Sequence, residues 1–195
     1  MPIKRTRLLN RKTDLRDAKL FIIATEGEKT EKQYFDIFEN PKIRVVVLPS
    51  EGGRSAPIHV LERLDEIKEQ YDFGDGDELW LMIDTDHRRN EELSPICQGA
   101  KQKSFYLAVS NPCFELWLYL HFADFTLSHS RCRDIERLLR QQLGGYNKSN
   151  LDLNVYKATM ADAVNRAKSL HTNKRERWPL LAGTHVYKVV EKLLR

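Results

Sequence analysis

The pentapeptide Ile83-Asp84-Thr85-Asp86-His87 sets two carboxylates two residues apart, directly after the apolar run 79–83. In extended backbone, positions i and i+2 point to one side, so Asp84 and Asp86 can converge. At about 4 Å and an effective dielectric of about 20, two such charges repel by about 4 kcal/mol. A hard divalent cation such as Mg²⁺ relieves that repulsion by taking carboxylate oxygens as ligands. A second acidic group, Glu26-Gly27-Glu28, follows the apolar run 20–25. Gly27 permits a tight turn and close access to the backbone.

These groups need strands to position them. Residues 20–25, 43–48, 78–83 and 105–109 are short and apolar, as buried parallel strands are. Between them, 30–38 and 58–71 carry apolar residues at helical spacing. A helical stretch spans part of 90–102, with a possible break at Pro95, and Ser110-Asn111-Pro112 opens a helix through residue 122. Pro112 suits a first helical turn, and Asn111 suits the N-cap. The alternation predicts an α/β fold, a parallel sheet of about four strands flanked by helices. In a doubly wound sheet the first and third strands can be neighbours, as in the flavodoxin-like order, and both acidic turns would then face one crevice at the strands' carboxyl ends. Beyond about residue 124 strands are no longer expected. Residues 131–143, 155–170 and 184–194 show helical periodicity, and Gly144-Gly145 separates the first two. The expected organisation is a basic arm over 1–18, an α/β domain over 19–125 and a helical extension over 126–195 packed on it.

The chain has 195 residues and a formal net charge of +4. Its basic residues cluster at 4–16, at 131–140 and at 168–177, which suits a polyanion such as nucleic acid. Cys97, Cys113 and Cys132 are odd in number and lack a C-x-x-C pair, so reduced thiols are expected rather than a disulfide frame or a zinc site. No apolar run approaches a membrane span, and the basic N-terminus lacks a signal-peptide core. A cytoplasmic protein without membrane contact is expected.

Glu-Gly after one strand and Asp-x-Asp after another resemble the Toprim domain, whose glutamate and two aspartates bind Mg²⁺ or Mn²⁺ for phosphodiester chemistry. Three longer segments sharpen the likeness. Glu26-Gly27-Glu28-Lys29-Thr30-Glu31-x-x-Tyr34-Phe35, Asp84-x-Asp86-His87, and Ser110-Asn111-Pro112-x-Phe114-Glu115-x-Trp117-Leu118-x-Leu120-His121-Phe122 resemble the RloB family. Its members are Toprim-like proteins of prokaryotic defence loci, often encoded beside an AAA-type ATPase. The resemblance covers roughly 18–125 and weakens beyond. It implies a Toprim-like fold and a metal-dependent nuclease with such an ATPase as partner, with Glu26, Asp84 and Asp86 as metal ligands.

Glu115 lies among apolar neighbours, where a carboxylate is costly unless paired or metal-bound. It is a candidate further ligand or orienter of a metal-bound water; the alternative is an ion pair with a base such as Lys29 or Arg54. His87 is a candidate general acid, given an unperturbed pKa of about 6.5. Lys29 and Arg54 are candidate phosphate contacts, and Gly52-Gly53-Arg54-Ser55 is either a phosphate cradle or a plain turn. Glu31 is explained as a first-turn acid favoured by the helix dipole. The rival to a nuclease is a non-catalytic module of a defence complex with a vestigial metal site. For the nuclease, Glu26 must lie near the aspartates with no arginine lodged between them.

Overall fold

A computed structural model describes residues 18–38, 40–85, 88, 90–126 and 131–195. The elements run β1 (Lys19–Thr25), α1 (Thr30–Phe35), β2 (Ile43–Leu48), α2 (Pro57–Gln70), β3 (Glu78–Asp84), α3 (Asn90–Gln102), β4 (Tyr106–Asn111), α4 (Glu115–Leu120), α5 (Cys132–Leu143), α6 (Leu153–Ala158), α7 (Met160–Leu170), β5 (Gly183–Thr184) and α8 (Val186–Leu193). The arm over 1–17 lies outside the described residues.

The sheet order is β2-β1-β3-β4-β5. The first four strands are parallel, and β5 pairs antiparallel with β4. The fold is therefore the expected α/β layering, with one more strand than expected. β5 escapes a sequence reading because two residues carry no periodicity.

Alternation along the central strands divides the core. Phe21, Ile23, Trp80, Met82 and Ala108 face one side, where buried residues of α1, α4, α5, α7 and α8 cover them. Leu20, Ile22, Ala24, Leu79, Leu81 and Ile83 face the other, against buried residues of α2 and α3. Both faces are dry, which explains why these strands read as continuous apolar runs. Pro95 does not break α3, which runs through it. The expected helix over 155–170 instead divides at Thr159. Its hydroxyl donates to the Val155 carbonyl at 3.0 Å, and its N–H bonds three residues back to Tyr156; this back-bonding competes with the helical ladder. Gly144, at φ +68°, ends α5 in the left-handed conformation.

Asn111 is not an N-cap. Its amide donates to the carbonyls of Pro179 (2.9 Å) and Leu180 (3.1 Å), anchoring the segment that leads into β5, and α4 starts only at Glu115. Among the described residues no helix is long and apolar enough to cross a membrane.

Candidate metal centre

β1 and β3 are adjacent, with Thr25 in register with Met82, so Glu26 emerges beside the end of β3. The turn that carries Glu26 is tied down from three directions. Thr25 Oγ1 donates to the Gly27 carbonyl at 3.0 Å, Ser50 N–H donates to the same oxygen at 3.1 Å, and Arg63 Nη2 donates to the Thr25 carbonyl at 2.8 Å. The Asp84 N–H in turn donates to Glu26 Oε1 at 3.0 Å. The crevice expected between the first and third strands is thus formed.

It opens into a cavity of about 510 Å³ lined by Glu26, Glu28, Glu31, Asp84 and Glu115, with Lys29 and Lys148 among its basic residues. The Asp84 carboxyl is pushed well above its ordinary range, first by desolvation and then by Glu26, Glu31 and Glu115; a hydrogen bond from the Phe114 N–H opposes this. Glu31, only 6% exposed, is raised to about 7 by burial, with Glu115 and Glu26 adding to the shift and bonds from backbone N–H groups opposing it. Its Oε1 accepts the Gly27 N–H at 3.1 Å. The helix dipole therefore does not account for Glu31, which folds back into the site. The available signal was its i+4 spacing from Gly27.

Glu26 is held differently. Arg88 Nη1 donates to its Oε1 at 3.1 Å and Nη2 to its Oε2 at 2.9 Å, while Nη1 also donates to the Asp84 carbonyl at 2.7 Å. An arginine is thus lodged between Glu26 and the end of β3, the placement set against a nuclease above, so in this arrangement Glu26 is not a ligand and the nuclease reading requires Arg88 to withdraw. Asp86 and His87, the second aspartate and the candidate acid, lie outside the described residues.

Glu115 is buried and paired, and its partner is neither Lys29 nor Arg54. Lys148 Nζ lies 2.8 Å from Glu115 Oε1 and 2.8 Å from Glu136 Oε1. Burial alone would lower the Lys148 ammonium, but the two carboxylates outweigh it and push it up. Tyr146 Oη donates to Glu115 Oε1 at 3.3 Å, and its own ionisation is pushed far up by burial and then by Glu115. The Lys148 backbone is fixed on α1, since Thr30 Oγ1 and Gln33 Nε2 both donate to its carbonyl at 3.1 Å. Lys148 sits more than thirty positions from Glu115 in a polar loop, and no spacing rule marks it.

Lys29 is exposed at the cavity rim. Arg54 is not among the cavity residues; it pairs at the surface with Glu62 at 3.1 Å. Gly52 and Gly53 form a left-handed turn, with φ of +59° and +76°.

The three expected thiols are not all free. Cys113 and Cys132 form a disulfide across a sequence separation of 19, their Cα atoms 5.7 Å apart, and Cys97 is free and buried. The fold brings the β4–α4 turn against the start of α5, within disulfide reach, and nothing in the spacing announces it. Among the described residues, Cys113, Glu115 and Cys132 are the group of three whose ligand atoms all lie within 4.8 Å of one another.

The donor set of the cavity suits a hard cation. Burial first, and neighbouring carboxylates second, raise Asp84 and Glu31, and all the acids offer oxygen. Glu26 joins that set only if Arg88 withdraws.

A family model described as RloB-like protein matches residues 21–193. The chain belongs to the RloB-like family. No curated protein and no solved structure matches it significantly. In this RloB-like chain the family-like segments divide by role. Tyr34, Phe114, Trp117 and His121 form a buried ring cluster with centroids 5.2–6.1 Å apart. Tyr34 Oη and His121 Nε2 are hydrogen-bonded at 3.1 Å, and burial lowers the His121 pKa to about 3. Interleaved with them, Glu26, Asp84 and Glu115 face the cavity.

Proposed function

We propose that this RloB-like protein is a metal-dependent nuclease of the Toprim kind, hydrolysing phosphodiester bonds of DNA or RNA with Mg²⁺ or Mn²⁺. We further propose that it serves antiphage defence beside an AAA-type ATPase. The supporting observation is the convergence of Glu26, Glu31, Asp84 and Glu115 on one cavity at the carboxyl ends of β1 and β3, where burial first and neighbouring carboxylates second raise Asp84 and Glu31. Burial and neighbouring like charge both disfavour the ionised carboxyls, and a divalent cation would offset both.

Asp84 and Glu31 would hold the ion, joined by Glu26 once Arg88 swings away. A cation held by these carboxylates would supply Lewis acidity for a phosphoryl oxygen and a water nucleophile. Lys29 and Lys148 line the same cavity and would steady a phosphate backbone through its oxygens. Glu115, paired with Lys148, would act by positioning that lysine.

One observation favours a second reading. The Arg88–Glu26 pair already neutralises part of the site, as a non-catalytic module with a vestigial centre would require. A single experiment separates the two: Mg²⁺ or Mn²⁺ titrated against plasmid, single-stranded DNA and RNA, with and without the ATPase. Under the nuclease reading cleavage is metal-dependent, and Asp84→Asn and Glu26→Gln each abolish it with the fold intact. Cleavage at the wild-type rate by either variant refutes it. No turnover on any substrate, ATPase included, supports the second reading.

A further inference from the structure

A second, chemically different group of ligands sits in the wall of the cavity. Cys113, at the turn after β4, and Cys132, at the start of α5, both line it, as does Glu115 between them in sequence. The sulfurs and the Glu115 carboxylate lie within 4.8 Å of one another. The two oxygens of Glu115 face different ways. Oε1 takes Lys148 and Tyr146, while Oε2 lies 3.4 Å from Cys132 Sγ. On the other side of that sulfur, Glu136 Oε1 is 3.8 Å away.

With the Cys113–Cys132 bond opened, the sulfurs would have to part from bonding contact to about 3.8 Å to share a tetrahedral ion, while the carboxylate oxygens already stand near ligand spacing from Cys132. With Zn–S near 2.3 Å and Zn–O near 2.1 Å, the S···O edge of a tetrahedron is about 3.6 Å. The 3.4 and 3.8 Å edges bracket it. Lys148 lies 2.8 Å from Glu115 Oε1 and from Glu136 Oε1, so Glu115 Oε2 is open to an ion whereas Glu136 Oε1 joins only as Lys148 gives way.

We propose that Cys113, Cys132 and Glu115 form a soft-metal site, suited to Zn²⁺, that exists when the disulfide is reduced, with Glu136 as the fourth ligand. Two sulfurs select a borderline-soft ion, whereas the all-oxygen set around Asp84 selects a hard one. The exchange balances. A dithiol reductant supplies two electrons and two protons. The Sγ–Sγ bond breaks, both cysteines become thiols, and the reductant closes into its own disulfide. Metal entry then releases those two protons as the thiols become thiolate ligands. Either cross-link, covalent or metallic, ties the β4–α4 turn to α5 across the cavity wall. The proposal does not depend on the nuclease reading, because no oxygen ligand of Asp84 or Glu26 takes part.

The test is cadmium binding to the intact, anaerobically reduced protein, followed by the sulfur-to-cadmium charge-transfer absorption, with zinc affinity measured by competition against a chromophoric chelator. One equivalent of cadmium is expected to develop the band of two thiolates, and Cys97→Ala to leave it unchanged. Cys113→Ser or Cys132→Ser weakens zinc binding by about a hundredfold or more, and Glu115→Gln by about tenfold. The oxidised wild-type protein needs no mutation to stay folded and is expected to show no band. A reduced wild type that binds no more cadmium than the oxidised protein overturns the proposal. So does a band that survives in the variant lacking both cysteines.

Discussion

Arg88 grips both carboxylate oxygens of Glu26, at 3.1 and 2.9 Å, and the same guanidinium reaches the Asp84 carbonyl at 2.7 Å. It takes the electrostatic place that a cation would fill. Under the nuclease reading, Arg88→Ala removes this guanidinium from Glu26 and tightens Mg²⁺ binding. A surrendered charge-assisted pair of about 1.5–3 kcal/mol corresponds to roughly ten- to hundredfold in apparent affinity. Thermal melts across a Mg²⁺ series measure this. Identical metal-induced stabilisation in wild type and Arg88→Ala would remove Glu26 from the ligand set.

Glu31 gives the fold a pH dependence of unusual sign. Its folded pKa is raised from 4.5 to about 7, so between those values the folded protein binds more protons than the unfolded chain. Stability is then highest below the unfolded value and falls as pH rises through 7, by on the order of 3 kcal/mol. Glu31→Gln keeps an oxygen to accept the Gly27 N–H and removes the charge. Urea unfolding across that window is expected to lose most of its slope in the variant. An unchanged slope would mean that Glu31 is ionised in the folded protein.

Gly27 leaves no room for a side chain. A Cβ there would stand 2.0 Å from Glu31 Oε2 and 2.5 Å from its Cδ. Gly27→Ala should expel the Glu31 carboxylate and break its bond to the Gly27 N–H, costing about 1.5–3 kcal/mol. In a Glu31→Ala background most of that cost should vanish, because the clash partner is gone. Denaturant midpoints of the two singles and the double complete the cycle. Simple additivity would contradict the contact.

The Cys113–Cys132 bond closes a loop of 19 residues. Loop-closure entropy for such a length predicts a loss of about 3 kcal/mol on reduction. Unfolding curves with and without a dithiol, in metal-free buffer, give the value, and Cys97→Ala controls for the free thiol. No difference between them would show that the pair contributes nothing to stability.

The four parallel strands were legible because both sheet faces are covered, leaving continuous apolar runs between polar turns, while of their order only the β1–β3 adjacency was anticipated. Glu26 and Asp84 were legible for the same reason, since each follows such a run. The residues that were missed are joined through space alone. Lys148 reaches Glu115 across the whole of α5, and Cys113 meets Cys132 through a turn that no periodicity describes. Arg88 is one more basic residue in a charged loop until Glu26 is set beside it. Glu31 was misjudged because a first-turn acid has a sufficient local explanation, and only tertiary burial shows another. Much of the strongest motif, Tyr34 with Phe114, Trp117 and His121, carries packing rather than chemistry.

β5 matters more than its two residues suggest. Gly183 and Thr184 pair with Asn111 and Ser110, and the Ser110 and Thr184 hydroxyls meet at 2.9 Å. Without that return, the Ser110–Asn111 end of β4 would present unpaired amide donors and acceptors. A strand this short satisfies the neighbour's rim yet is a poor template for further growth. Cutting the chain ahead of Pro179 would therefore bare that end of β4 and, with the loss of α8, uncover the sheet face that Val186, Val189 and Val190 bury.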